Sequence, residues 1–213
     1  MFGRTATTPR CRERASSHAK RPGHVPGRLA WAWLLAPLLA AVPAAAQDDA
    51  ALLRVLAAPG GVGLMRHARA PGTGDPLAFR IGDCATQRNL DDAGRDQARQ
   101  LGARLRLAGL AGAAVFASPW CRTMETASLL GLGPVSPMPA LASFFAGQGD
   151  EARQTAMLHT ALDAGRDGPP RIMVTHQVNI TTLTGMFPGD AELLVMRPGP
   201  KGYEAAGWLR PLP

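Results

Sequence analysis

Short apolar runs separated by longer amphipathic stretches constrain this chain more than any other feature. Val62–Met65, Ala113–Ala117 and Arg171–Thr175 each read as a buried strand bounded by polar or turn-forming residues. Asp91 can cap a helix that runs to about Leu107, with Ala98, Leu101, Leu105 and Ala108 on one face. Trp120–Leu130 and Glu151–Ala164 read as further helices, and Ala50–Ala58 as a short one leading into the first strand. Gly72 to Arg88 is an irregular loop containing Pro76 and Gly82, and a weak extended segment lies near Val135. Ile180–Met186 starts a helix that stops at Pro188, and Glu192–Arg197 and Tyr203–Arg210 read as terminal strands. Strands separated by helices of 10–17 residues predict an α/β fold with a mostly parallel sheet.

The first 46 residues do not join that pattern. Residues 1–28 are basic and rich in Ser, Thr, Pro and Gly, Leu29–Val42 is apolar, and Ala44-Ala45-Ala46 supplies small residues before Gln47. This is the layout of a signal peptide, so residues 1–46 are assigned to a leader and 47–213 to one domain. The apolar run of 14 residues falls short of the roughly 20 that span a bilayer, so no stable membrane span is expected after cleavage. A periplasmic or secreted location follows as an expectation.

Charge changes its meaning once the leader is set aside. The precursor carries +7, of which six Arg and one Lys against one Glu lie in residues 1–46. The remaining domain is nearly neutral, with no zinc-finger spacing and no basic helix with interleaved aromatics, which argues against nucleic acid as a partner. Cys84 and Cys121 remain as either a disulfide or two buried thiols. Neither has a His or Cys partner at metal-ligand spacing, so no metal and no cofactor are expected.

The ends of the predicted strands carry the chemistry. Val62–Met65 runs into Arg66-His67, the second strand into Ser118-Pro119-Trp120-Cys121-Arg122-Thr123, and the third into Thr175-His176-Gln177. Ligands of open α/β sheets sit beyond the carboxyl ends of the strands. Arg122 falls on the first turn of a helix, where the dipole disfavours a cation unless an anion is present. Two histidines and two arginines thus converge on one sheet edge, the composition of a phosphate site with a nucleophile inside it.

Arg66-His67, the Ser-Pro-x-x-Arg-Thr segment holding Arg122, and His176 after an apolar strand resemble the histidine phosphatase (phosphoglycerate mutase-like) superfamily, in order and over about Leu52–Val195. Cys84–Leu90 and Thr175–Ile180 resemble its small exported members, such as the lipopolysaccharide core heptose phosphate phosphatases; the phosphohistidine phosphatases come next. The resemblance implies a three-layer α/β/α sandwich and a metal-free phosphohistidine mechanism on a small phosphorylated substrate. In it His67 is the nucleophile, while Arg66, Arg122 and His176 hold the phosphoryl oxygens. Arg88 and Asn89 are assigned to substrate binding.

Two departures stand out. Ala68 follows His67 where the family usually has Gly, and Ala142-Ser143-Phe144-Phe145 occupies the region where many members carry a proton-donating Glu. Asp83 is the leading replacement, with Asp150 and Glu151 further candidates. The functional expectation is an exported phosphomonoesterase acting on an envelope sugar phosphate. The alternatives are a phosphohistidine protein phosphatase and a silent module that binds phosphate or sugar without turnover.

Overall fold

The computed structural model describes residues 44–212, so the assigned leader lies outside the described residues except for its last three positions. These open the first helix, α1 (Ala44–Ala57), which begins earlier than its apolar spacing suggested. The strands are β1 (Val62–Arg66), β2 (Ala114–Ala117), β3 (Val135–Pro137), β4 (Arg171–Thr175), β5 (Leu193–Gly199) and β6 (Gly202–Leu209). The remaining α-helices are α2 (Asp92–Leu105), α3 (Cys121–Leu130), α4 (Glu151–Ala164) and α5 (Gln177–Thr184). Among the described residues no helix is long and apolar enough to cross a membrane.

One six-stranded sheet runs in the order β3-β2-β4-β1-β5-β6. The first four strands are parallel, and β5 and β6 close the edge antiparallel. Alternation along β1 sends Val62 and Leu64 to one face and Met65 to the other, as period-two side chains must go. Met65 joins Leu56 of α1, Leu101 and Leu105 of α2 and Leu130 of α3 in one core. Val62 and Leu64 join Leu158 and Leu162 of α4 and Ile180 of α5 in the other. The result is the expected three-layer α/β/α sandwich.

Local chemistry sets the boundaries that matter. Asp91 caps α2 by accepting from the Gly94 N–H at 2.8 Å. The helix stops at Leu105 rather than Leu107, because the chain widens into one π-turn over Arg106–Leu110 and reverses at Gly109, φ 84°. Gly94 permits the close approach of α2 to the chain after His67, since a Cβ there would overlap the Arg69 carbonyl oxygen.

Candidate active site

Strand register brings the two histidines together. Arg66 pairs with Thr175 across β1 and β4, so the next residues, His67 and His176, leave the sheet side by side. Their rings lie 5.5 Å apart in an edge-on arrangement, and both are buried. The His67 N–H donates to the Thr175 carbonyl at 3.0 Å, and the His67 carbonyl accepts from Ala191 at 3.2 Å. Thr126 on α3 accepts from the Ala68 N–H at 3.1 Å and donates to the Arg122 carbonyl at 2.6 Å. The Ala68 turn is thereby fixed to the helix that carries Arg122.

Protonation follows from the partners. His67 Nδ1 lies 2.8 Å from the Ala68 carbonyl, which can only accept, so Nδ1 carries the hydrogen and Nε2 keeps its lone pair. Burial, together with Arg122, Arg88 and Arg66, pushes the His67 pKa down to about 3 against the opposing Ala68 bond. The ring is neutral and nucleophilic at physiological pH. Arg122 Nη2 stands 3.5 Å from His176 Nδ1, and His176 Nε2 lies 2.8 Å from Ser118 Oγ. A guanidinium cannot accept, so His176 carries its proton on Nε2 and donates to Ser118. Burial first, and then His67 and the arginines, hold His176 well below the usual histidine range.

The arginines are not free cations waiting for a ligand. Arg122 Nη1 pairs with Asp75 Oδ1 at 2.8 Å, with the two side chains 4% and 1% exposed. Asp75 thus supplies the anion that the first turn of α3 demands, and the cation misfit expected there is relieved within the protein. Arg66 donates to the Pro188 carbonyl at 3.1 Å and pairs with Asp190 at 3.0 Å. The Nε groups of Arg66 and Arg122 are buried without an acceptor among the described residues.

A cavity of about 180 Å³ opens over these groups. Arg66, His67, Arg122, His176 and Arg88 line it, and the 72–75 segment and Ser143, Phe145 and Gln148 complete its walls. Arg88 is held by its Nε–H to the Gly74 carbonyl at 2.8 Å and by a second bond to the Ala70 carbonyl. Among the described residues no group of three His, Cys, Asp or Glu is placed to hold a metal ion.

The loop before α2 is tied to the start of α3. Cys84 and Cys121 are bridged, Gln87 Oε1 accepts from the Cys121 N–H at 2.9 Å, and Phe79 stacks on Trp120 at 5.2 Å. The first of the two cysteine alternatives is therefore the one observed.

Two expected site residues lie elsewhere. Asn89 donates to the carbonyls of Cys84 and Gln87 and braces the loop outside the cavity. Asp83 accepts from Ala85 and pairs with Arg80, whose hydrogen bond holds the carboxyl below its ordinary value. It is a cap and a surface ion pair, ionised and outside the cavity walls, so it is not placed to protonate a leaving group. Asp150 caps α4 through the Arg153 N–H at 2.9 Å, and Glu151 accepts from Thr182 at 3.0 Å. The residues that sequence reasoning missed are Asp75 and Ser118. The signal for Asp75 was a lone carboxylate inside Pro71-Gly72-Thr73-Gly74-Asp75-Pro76, directly after the histidine strand.

Residues 62–164 match the profile of the histidine phosphatase superfamily, branch 1. No curated protein matches the sequence. Among solved structures, the protein histidine phosphatase SixA complexed with tungstate is similar at 18% identity and a TM-score of 0.52, over 71% of this chain and 97% of that one. A phosphoserine phosphatase of Entamoeba histolytica in complex with 3-phosphoglyceric acid is similar at 14% identity and TM-score 0.53, over 70% and 95%. YhfR of Bacillus stearothermophilus is similar at 16% identity and TM-score 0.52, over 68% and 95%. At these identities the likeness is one of fold. Joined to the profile match over residues 62–164, it likens this chain to the histidine phosphatase superfamily.

Proposed function

We propose that the protein is an exported phosphomonoesterase that works through a phosphohistidine at His67, on a phosphorylated sugar of the cell envelope. The observation that carries the chemistry is the Nδ1 bond to Ala68, which leaves Nε2 as a free nucleophile among Arg66, Arg88, Arg122 and His176. Nε2 attacks phosphorus as the ester P–O bond breaks, and the phosphorylated ring, still protonated at Nδ1, becomes a cation steadied by the Ala68 carbonyl. The arginines neutralise the equatorial oxygens through the loose transition state. The leader of residues 1–46, the bridged cysteines and the resemblance to exported members support the location and the substrate class.

The test is hydrolysis of an aryl phosphate by the domain lacking residues 1–46, with His67→Ala beside it. The wild type is expected to turn over and the variant to be silent. Equal activity in both would overturn the reading.

A second reading has one observation in its favour. The wall built by Ser143, Phe145 and Gln148 carries no carboxylate, which suits a leaving group that departs without a proton from that side. Phosphoramidates, including phosphohistidine, meet that condition. A higher kcat/KM for imidazole phosphate than for any sugar phosphate would favour it.

A further inference from the structure

Among the described residues, Asp75 is the carboxylate that lines the cavity. It sits on the 72–88 loop, across the cavity lining from the Ala142–Phe145 segment where the superfamily resemblance places an acid. A carboxylate offers about four acceptor sites. Oδ1 accepts from Arg122 Nη1 at 2.8 Å and from the Arg88 N–H at 3.0 Å, and Oδ2 accepts from Trp120 Nε1 at 3.3 Å. One acceptor site on Oδ2 is left over. The side chain is 1% exposed, so that site is not spent on bulk water.

The charge state of Asp75 decides which half of the reaction it can serve. Burial favours the neutral carboxyl, but the bonds from Arg122, Arg88 and Trp120 together outweigh it and keep the pKa below the ordinary value. An ionised carboxylate cannot donate a proton to the departing oxygen in the first step. It can accept one in the second.

We propose that Asp75 is the general base of dephosphorylation, taking a proton from the water that attacks the phosphohistidine. This rests on the reading of His67 as nucleophile. In the first step the Nε2–P bond forms, the ester P–O bond breaks, and the leaving oxygen keeps the electron pair and takes its proton from solvent. In the second, the water oxygen bonds to phosphorus and its proton passes to Oδ2. The P–Nε2 bond breaks with its electrons returning to the ring, and neutral His67 reforms with its hydrogen still on Nδ1. Asp75 then loses the proton to solvent and inorganic phosphate departs. A phosphoryl group beside Oδ2 raises the basicity of the carboxylate when it is needed, since a nearby negative charge disfavours its ionised form. The division of labour also defines the substrates: the first step receives no proton from Asp75, so phosphates with stable leaving anions are turned over fastest.

Rapid-quench kinetics with 4-nitrophenyl phosphate on the wild type and Asp75→Asn test this, with the phosphoenzyme trapped at alkaline pH for mass spectrometry. The amide keeps an oxygen for Arg122 and loses the basic site. Asp75→Asn should give a burst of nitrophenol close to one per active site. Its steady rate should fall by the 10²–10⁴-fold typical of a lost proton-transfer group, with phosphate accumulating on His67. A burst and steady rate that fall together would mean that Asp75 only positions Arg122, and unchanged rates would remove it from the reaction; either result overturns the proposal. If Asp75→Asn does not fold, the wild type decides: single-turnover decay of the phosphoenzyme should be slower in D2O, and equal rates would refute the assignment. A wild type that forms no phosphoenzyme at all would instead refute the reading of His67.

Discussion

His67 and His176 stand at the ends of two paired strands, whereas Asp75 and Arg88 reach the same cavity from a stretch with little regular structure. The strand side is placed by the ladder: moving either histidine requires breaking backbone bonds in the middle of the sheet. The loop side is placed by a handful of ties to α3 and its cap, namely a disulfide, one glutamine bond, one aromatic stack, the Asp75–Arg122 pair and the Trp120–Asp75 bond. Cooperative packing therefore secures His67, the proposed nucleophile, and separable local contacts secure Asp75 and Arg88 on the far side of the cavity. Substitutions on the two sides should fail differently.

Arg122 belongs to both sides, so its loss should lower rate and stability together. Arg122→Ala is expected to lower kcat/KM by roughly 10²–10³-fold, the range for removing a fixed donor at developing charge. It also strands the Asp75 carboxylate, and breaking a buried pair from one side costs about 3–5 kcal/mol. Aryl phosphate kinetics and urea unfolding of the same variant would check both numbers. Arg122→Lys sharpens the comparison: it keeps the charge but lacks the fork that reaches Asp75 and His176 together, and should recover stability more than rate.

Next in size is the disulfide. Closing a loop between residues 37 apart restricts the unfolded chain by about 4 kcal/mol in the chain-entropy account. Cys84→Ser with Cys121→Ser should lower the melting temperature and raise KM, because Arg88 and Asp75 lose their tether, while phosphorylation of His67 by the aryl phosphate persists. A variant that no longer formed the phosphoenzyme would show that the strand side depends on the loop.

The strand side carries its own signature in pH. His67 and His176 are buried neutral, with pKa values below those of the unfolded chain. As pH falls below about 6.5 the unfolded state takes up protons that the folded state refuses, so stability declines by up to about 1.4 kcal/mol per pH unit for each histidine. For His67 this loss continues to about pH 3 and is absent above pH 7. Melting temperatures from pH 7 to 4 should drop steeply, and His67→Asn should flatten the slope by one histidine's share. The smallest effect belongs to Asp83→Asn, which should leave kcat and KM unchanged because that carboxylate caps the loop away from the cavity.

The legibility of the sequence divides along the same line. The ends of β1 and β4 were readable because an apolar run that stops on a polar residue marks both a strand and its carboxyl edge. Arg122 was readable because a cation on a first helical turn is out of place without an anion. The helix cap Asp91 obeys a local rule that needs no knowledge of the fold. Asp75 obeys no period; its partner is 47 residues away, and only the folded loop brings the two together. Asp83 and Asn89 show the converse: both lie in the loop after the histidine strand, but in a loop without period side chains point where local hydrogen bonds send them.

The pairing of Arg66 with Thr175 has a wider consequence. The spacing between His67 and His176 is a rung of a ladder and comes in whole steps, so the reacting pair cannot drift by small increments as the chain diversifies. The 72–90 and 142–148 segments have no such quantum, and insertions there would leave the histidine pair untouched. A descendant of this protein could thus acquire a new substrate by lengthening the 142–148 segment while inheriting the histidine pair intact.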